Sequence, residues 1–364
     1  MKRSFYPLIE GFRGLAVLLV LISHWIVIEY FPNFIFLNLG FLGVNFFFVL
    51  SGFLITEILI IEIYNKEKAG AIIKNFFAKR TLRIFPIYYL TIILLAVFNI
   101  GKSVELLPWT LTYSLNIGGN WFGAYDRIFM HIWSLCVEEQ FYLIWPFVFL
   151  ITKGSRYFRV IIGFIAVSIL FKLIVFLNHS PNYEGVIHSN LVAAMDALAV
   201  GSLLAYLKCF KQKIWLKFLD IPNYSIILLL GLFWSISYFS DHLQLLYHVM
   251  ARFLGAIIGA IFILKAVKVS DQPLNKLLAF RPLKFLGKIS YGVYLYHWII
   301  SSLLYGAFNK LWDGLNFEIL GVFSIVKYHR YLGSFTMFFI ITIIAAAVSY
   351  YVIEKPLLKL KRFF

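Results

Sequence analysis

Residues 13–28 read RGLAVLLVLISHWIVI, an almost uniformly apolar run with Arg13 at its entrance and His24 in its middle. On a helix, eleven steps return to within roughly 20° of the starting direction. Both side chains therefore share one face, about 16 Å apart along the axis. The run is long enough to enter a hydrocarbon layer, where a charge such as arginine near the centre costs about 3 kcal/mol. A proton-transfer group kept on such a face calls for a reason.

The rest of the chain repeats the apolar pattern. Of 364 residues, 62% are hydrophobic and 14% charged, which excludes an ordinary soluble globular domain. The mean hydropathy of +0.85 agrees. Ten apolar runs fall near 14–28, 41–61, 84–100, 129–151, 160–177, 189–207, 224–240, 246–264, 285–306 and 333–353. The expected fold is all-α, a polytopic integral membrane bundle of about ten transmembrane helices forming one domain over residues 1–364. A shorter piece at 105–117, holding Pro108 and Trp109, reads as interfacial or re-entrant. Lys2 and Arg3 before the first run resemble the start of a signal peptide. Glu10, Arg13 and the missing small-residue cleavage site point instead to a retained first helix.

A net charge of +16 alone could suggest nucleic acid, but its distribution argues otherwise. Sorted onto alternate connections, 26 Lys and Arg fall on one side and only Lys102, Arg127, Lys310, Lys327 and Arg330 on the other. This is the positive-inside asymmetry, which predicts cytoplasmic termini; the expected location is the plasma (inner) membrane. The basic excess is then topology, with attraction to anionic lipid or an anionic cytoplasmic ligand, and no nucleic-acid partner is needed. Cys136 and Cys209 fall on different elements, and no Cys/His cluster has metal spacing, so neither a disulfide nor a metal is expected.

The topology gives each buried ionisable group a depth. His24 lies mid-membrane. Glu138 and Glu139 fall in the outer half of their span, and Asp196, Arg252 and Lys172 near the outer ends of theirs. His297 is mid-span within SYGVYLYHW at 290–298, beside Tyr291. Glu138, Asp196 and Arg252 read in two ways: as ion pairs fixing helix packing, or as the lining of an aqueous cavity open to the outside. Their convergence from several helices at similar depth favours the cavity. His24 is the best general base, because a neutral imidazole is cheaper to hold in a membrane than a carboxylate and titrates near neutral pH. His297 is its rival, expected to pack against the site wall. On the basic side, NFFAKRTLRIFPIYY at 75–89 sets Arg80 and Arg83 three apart at the mouth of a span, followed by Tyr88. Adjacent on a helix, the two arginines can grip phosphate oxygens together. As a bland alternative they anchor the topology.

Seven segments in this order resemble the acyltransferase-3 family of integral membrane acyltransferases, which includes bacterial O-antigen and peptidoglycan O-acetylases. They are IEGFRGLAVLLVLISHW from Ile9, FLGVNFFFVLSGFLIT from Phe41, RTLRIFPIYYL from Arg80, WSLCVEEQFYLIWP from Trp133, MDALAVGSLLA from Met195, ISYGVYLYHW from Ile289 and IEKP from Ile353. The resemblance implies about ten spans with a cytoplasmic N-terminus. It makes His24 the catalytic histidine, Arg13 its partner, Arg80 and Arg83 the acyl-donor arginines, and Glu138 the acidic position of the fourth-span motif. Cys136 and Asn45 depart from the usual residues at their positions. Many members carry an extra hydrolase-like domain after the last span, and the chain is expected to lack it.

The expected activity is therefore transfer of an acyl group, acetyl foremost, from cytoplasmic acyl-CoA to a hydroxyl of a cell-envelope carbohydrate. Acyl-CoA is a co-substrate, and no tightly bound cofactor is expected. His24, Arg13 and Glu138 form the expected catalytic set, with Arg80, Arg83 and Tyr88 on the donor. Asp196, Glu139, Arg252, His297 and Tyr291 are expected around the acceptor. A variant parks the acyl group on His24 before transfer. The alternative class is a transporter or exporter of a glycan or lipid-linked intermediate, which ten spans around a polar cavity would also serve.

Overall fold

The computed structural model describes residues 5–28, 31–66, 68–152, 154–179, 182–314 and 323–363, with the backbone alone at 155, 309, 311–314 and 323–332. Of the charges sorted above, Lys2, Arg3 and Lys153 lie outside the described residues, as do the side chains of Lys327 and Arg330. No strand occurs among the described residues.

The long helices are α1 (Ile9–Ile22), α2 (Leu39–Tyr64), α3 (Ala69–Val97), α4 (Trp133–Ile151), α5 (Tyr157–Leu177) and α6 (Leu191–Phe210). They continue as α7 (Tyr224–Tyr238), α8 (Gln244–Val267), the short α9 (Arg281–Lys288), α10 (Ser290–Gly314) and α11 (Phe323–Ser349). Each of the ten apolar runs falls on a helix. Among the described residues, eight segments are long and apolar enough to cross a membrane. A ninth candidate is α7 together with the preceding Gln212–Leu219, a pair bent by 80°. The remaining run, 285–306, centred on α10, is long enough but too polar to join them, because Tyr291, Tyr294, Tyr296, His297, Ser301 and Ser302 dilute its apolar residues. A helix of that composition belongs inside a bundle, facing protein and cavity instead of lipid.

Without a hydrophobic drive between helices in lipid, association depends on close packing and small residues. Two glycine contacts show this. A Cβ on Gly52 of α2 would collide with the carbonyl of Leu198, and one on Gly201 of α6 with that of Val49, so α2 and α6 touch backbone to backbone. Gly14 of α1 and Gly287 of α9 meet main chain in the same way, at Leu283 and Glu10. That second contact fixes the rotation of α1 and turns Arg13 toward the interior.

Charged residues inside the bundle are paired where they serve packing. Lys172 of α5 and Asp196 of α6, both fully buried, meet at 2.5 Å. At the basic end, Glu57 of α2 accepts from the Tyr6 hydroxyl at 2.5 Å and from Lys208, tying the N-terminal segment to α2 and α6. The piece at 105–117 folds as two short helices, Leu107–Leu111 and Leu115–Phe122. Tyr88 and Tyr89 of α3 hold it by donating to the carbonyls of Thr110 and Leu111.

Candidate active site

Among the described residues, three cavities bear on the expected site. The first, about 640 Å³ measured to its mouth, is lined by Arg13, Arg80, Arg83, Glu138, Tyr142, Ser51, Ser134, Tyr291 and Tyr294 among others. The N-terminal half of α3, which follows the basic connection, brings Arg80 and Arg83 to it. Arg13 comes from one turn inside α1. Among the described residues none of these three guanidinium groups forms an ion pair within 4 Å. The one carboxylate in the lining, Glu138, is held instead by Ser51, which donates to Oε1 at 2.8 Å and accepts from Tyr142 at 3.0 Å. The Arg80 guanidinium lies 5.2 Å from the centre of the Tyr142 ring. Three cations around one space with no ion pair form a site for a polyanion, and two of them can fork around phosphate oxygens.

His24 lines a different cavity of about 530 Å³, together with Trp25, Arg127, Trp298, Ser301, Ser302, Tyr305 and Phe338. Its ring sits in a single π-helical turn, Ser23–Val27, that widens the end of α1. Such turns recur at functional sites. Helix rise separates Arg13 and His24 as expected, but a shared face does not put them in a shared space. Tyr294 and His297 of α10 pack across the face between them.

This wall is ordered by a chain of hydrogen bonds. His297 Nδ1 lies 2.6 Å from the Tyr294 carbonyl, and its Nε2 lies 2.9 Å from His24 Nδ1. A carbonyl only accepts, so His297 carries its proton on Nδ1, and in the neutral ring Nε2 is the acceptor. His24 must then donate from Nδ1, which leaves the lone pair on His24 Nε2. That nitrogen faces Gly40, whose missing Cβ would sit 3.6 Å away. His131 closes the cluster with its ring centre 5.1 Å from that of His297 and Nε2 at 3.0 Å from the Leu295 carbonyl. On the first-cavity side of the wall, Tyr294 and Ser134 join hydroxyls at 2.5 Å.

Several sequence expectations change. Glu138, expected in one catalytic set with His24, lies instead with the three arginines, and the side chain bonded to His24 is His297. Tyr291 lines the arginine cavity and donates to the Ile84 carbonyl at 3.3 Å, so it faces the expected donor space and not the acceptor. Tyr88 lines none of the three cavities. It is fully buried, its hydroxyl spent on Thr110 and its ring stacked on Tyr113 at 4.2 Å. Asp196 is consumed by Lys172 and lines none of the three, because a buried carboxylate takes the nearest cation. Glu139 lines none of the three, and its Oε1 is buried and unpartnered. Arg252 lines a third cavity, shared with neither His24 nor Arg13. Ser51, Tyr142, Ser134 and Tyr294 were not singled out. Ser51 and Tyr142 stand in or beside quoted motifs, but no pattern in the sequence marks a hydroxyl that serves a carboxylate. Among the described residues, no group of three or more His, Cys, Asp or Glu could hold a metal ion.

Comparison with known proteins agrees in coverage and order. The family model described as an acyltransferase domain matches residues 6–354. The chain is 29% identical over 330 residues to peptidoglycan O-acetyltransferase OatA of Listeria monocytogenes, covering 83% of this chain and 50% of that protein. It is 27% identical to the putative peptidoglycan O-acetyltransferase YrhL of Bacillus subtilis, covering 97% and 55%. Against O-acetyltransferase OatA of Staphylococcus aureus the identity is 26%, covering 98% and 57%. The chain thus spans about half the length of the curated relatives it matches. No solved structure matches it significantly.

Proposed function

The chain belongs to the acyltransferase family whose domain fills residues 6–354, and on that premise we propose that it is a membrane O-acyltransferase acting on a cell-envelope glycan. The donor in this reading is acyl-CoA, with acetyl as the acyl group. The observation that carries it is the arginine cavity: Arg13, Arg80 and Arg83 outnumber its one lining carboxylate, Glu138, and among the described residues none of them forms an ion pair, as a site for the phosphates of a CoA requires. The basic face of the bundle is read as cytoplasmic, where acyl-CoA is found. Relatives named for O-acetylation of peptidoglycan support an envelope hydroxyl as acceptor.

The donor's phosphates would rest on Arg80 and Arg83, and its arm would run past Arg13 toward the hydroxyl pair of Tyr294 and Ser134. The acceptor would enter the cavity that His24 lines. His24 Nε2 takes the proton from the acceptor hydroxyl as its oxygen attacks the thioester carbon. The tetrahedral intermediate then expels the CoA thiolate, which recovers that proton from His24. The ester oxygen stays on the glycan and free CoA leaves. Direct transfer requires the wall at Tyr294 and His297 to admit the thioester to His24.

Purified protein in nanodiscs, given radiolabelled acetyl-CoA and a glycan acceptor, tests both halves. His24→Ala should abolish transfer while leaving CoA affinity intact. Arg80→Gln with Arg83→Gln should weaken CoA binding by about tenfold or more per lost charged contact. Normal transfer by His24→Ala, or unchanged CoA affinity in the double variant, refutes the reading.

A further inference from the structure

The third cavity, about 780 Å³, shares no lining residue with the other two. Phe41, Glu184, His188, Tyr247, His248 and Arg252 line it, among others, at the ends of α2 and α8 remote from the basic connections. Arg252 is only 3% exposed, and among the described residues it has no ion pair. Its guanidinium bonds go to two neutral oxygens: Nη1 donates to Asn45 Oδ1 at 3.3 Å and Nη2 to the His188 carbonyl. Its Nε is buried without a partner. The nearby carboxylate of Asp196 is already held by Lys172. That pair cancels, so among the described residues Arg252 has no carboxylate of its own within ion-pair distance.

A lone buried cation in a membrane protein is costly unless something of opposite charge meets it. Aromatic faces help only in part. The guanidinium carbon lies 4.9 Å from the Phe41 ring centre and 5.9 Å from those of Phe48 and Trp133. His188 stacks on Phe41 at 5.6 Å, which extends the aromatic wall. Across the cavity, Glu184 forms no ion pair with Arg252 and accepts from the Tyr183 hydroxyl at 3.3 Å. Its carboxylate remains able to accept hydroxyl protons from a ligand. One cation, one hydroxyl acceptor and an aromatic wall in a space of this size fit a single class of small molecule.

We propose that this cavity binds a sugar carrying an anionic group, the carboxylate or phosphate on Arg252 and the ring hydroxyls toward Glu184. The binding site is separate from both the donor cavity and His24. Its occupant lies across Phe48 from the donor, since that ring lines the arginine cavity on its other side. The idea extends the glycan-acceptor reading above. Its test is made without donor and in the His24→Ala background, so loss of transfer cannot decide it.

Equilibrium dialysis of this protein in phosphatidylcholine nanodiscs would compare glucuronic acid, glucose 1-phosphate, glucose and inorganic phosphate. The expected result is that both charged sugars bind about tenfold or more tighter than glucose and than inorganic phosphate. Arg252→Gln should remove that preference while CoA binding, which uses the other cavity, stays unchanged. If Arg252→Gln does not fold, Arg252→Lys keeps the charge, loses the fork and should reduce the same ratio. Equal binding of glucuronic acid and glucose, or a preference that survives at Arg252→Gln and Arg252→Lys alike, overturns the proposal. Inorganic phosphate binding as well as the sugar phosphate, or displacement of the sugars by phosphatidylglycerol in the disc, assigns the cavity to a bare anion or a lipid headgroup and overturns the sugar.

Discussion

Replacing His297 with phenylalanine keeps an aromatic ring of similar bulk in the wall and deletes both the Nε2 acceptor and the Nδ1 donor to the Tyr294 carbonyl. In the native protein that acceptor, Nε2, holds His24 Nδ1 at 2.9 Å and sets the tautomer that bares His24 Nε2. Without it, His24 either leaves a buried N–H unsatisfied or turns away, at a cost of about 1–3 kcal/mol. Spent on the population of correctly oriented rings, that cost corresponds to roughly 5- to 150-fold fewer productive molecules. Loss of such orienting partners in comparable sites costs about 10- to 100-fold. The expected result is therefore a fall in kcat of one to two orders of magnitude. KM for the donor should not move, because no donor-cavity residue has been touched. Steady-state transfer from acetyl-CoA in nanodiscs measures kcat and KM together, and CoA binding reports folding. His297→Phe with native kcat and intact CoA binding would refute the orienting role. An equal loss of kcat and CoA affinity would show that the ring only holds the bundle together.

Three other substitutions probe the arrangement. Gly40→Val places methyl groups where His24 Nε2 looks out, and should depress transfer with CoA affinity unchanged, as the same two assays would show. Lys172→Met should destabilise the protein by about 3–5 kcal/mol, since it strands a buried carboxylate, whereas Lys172→Met with Asp196→Leu should recover most of that loss in denaturant unfolding. Tyr88→Phe removes one of the two donors to the Thr110 carbonyl, which keeps the Tyr113 N–H, and should cost about 0.5–1.5 kcal/mol of stability with no change in CoA affinity. A weaker CoA affinity in Tyr88→Phe would return that residue to the donor site.

Much of the architecture is legible in the chain because membrane spans advertise themselves through composition. Arg13, Arg80 and Arg83 also converge as their motifs imply, since each sits near the same end of its span. Partnerships are harder to read. His24 and His297 are separated by 273 residues, and no local periodicity marks which of eight histidines will meet. Asp196 looked like a cavity residue because its depth was readable and its neighbour was not; Lys172 lies on another helix. Tyr88 follows Arg83 in a motif, yet helix rotation sends it to the opposite side. Helix rise along α1 was right for Arg13 and His24, but the division into two cavities comes from α10, whose tyrosines and histidine made it look the least like a span.

The 273 residues between His24 and His297 also set a clock for biogenesis. A ribosome adding about 5–20 residues per second would make the second histidine roughly 14–55 s after the first. Through that interval the first helix carries an imidazole whose only side-chain hydrogen-bond partner in the described structure has not yet been synthesised. Its backbone contacts through Gly11 and Gly14, to Leu278 and Leu283, arrive equally late. A helix that reaches the membrane well before α9 and α10 is therefore finished only with them, and its safe keeping until then falls to the insertion machinery and to α2.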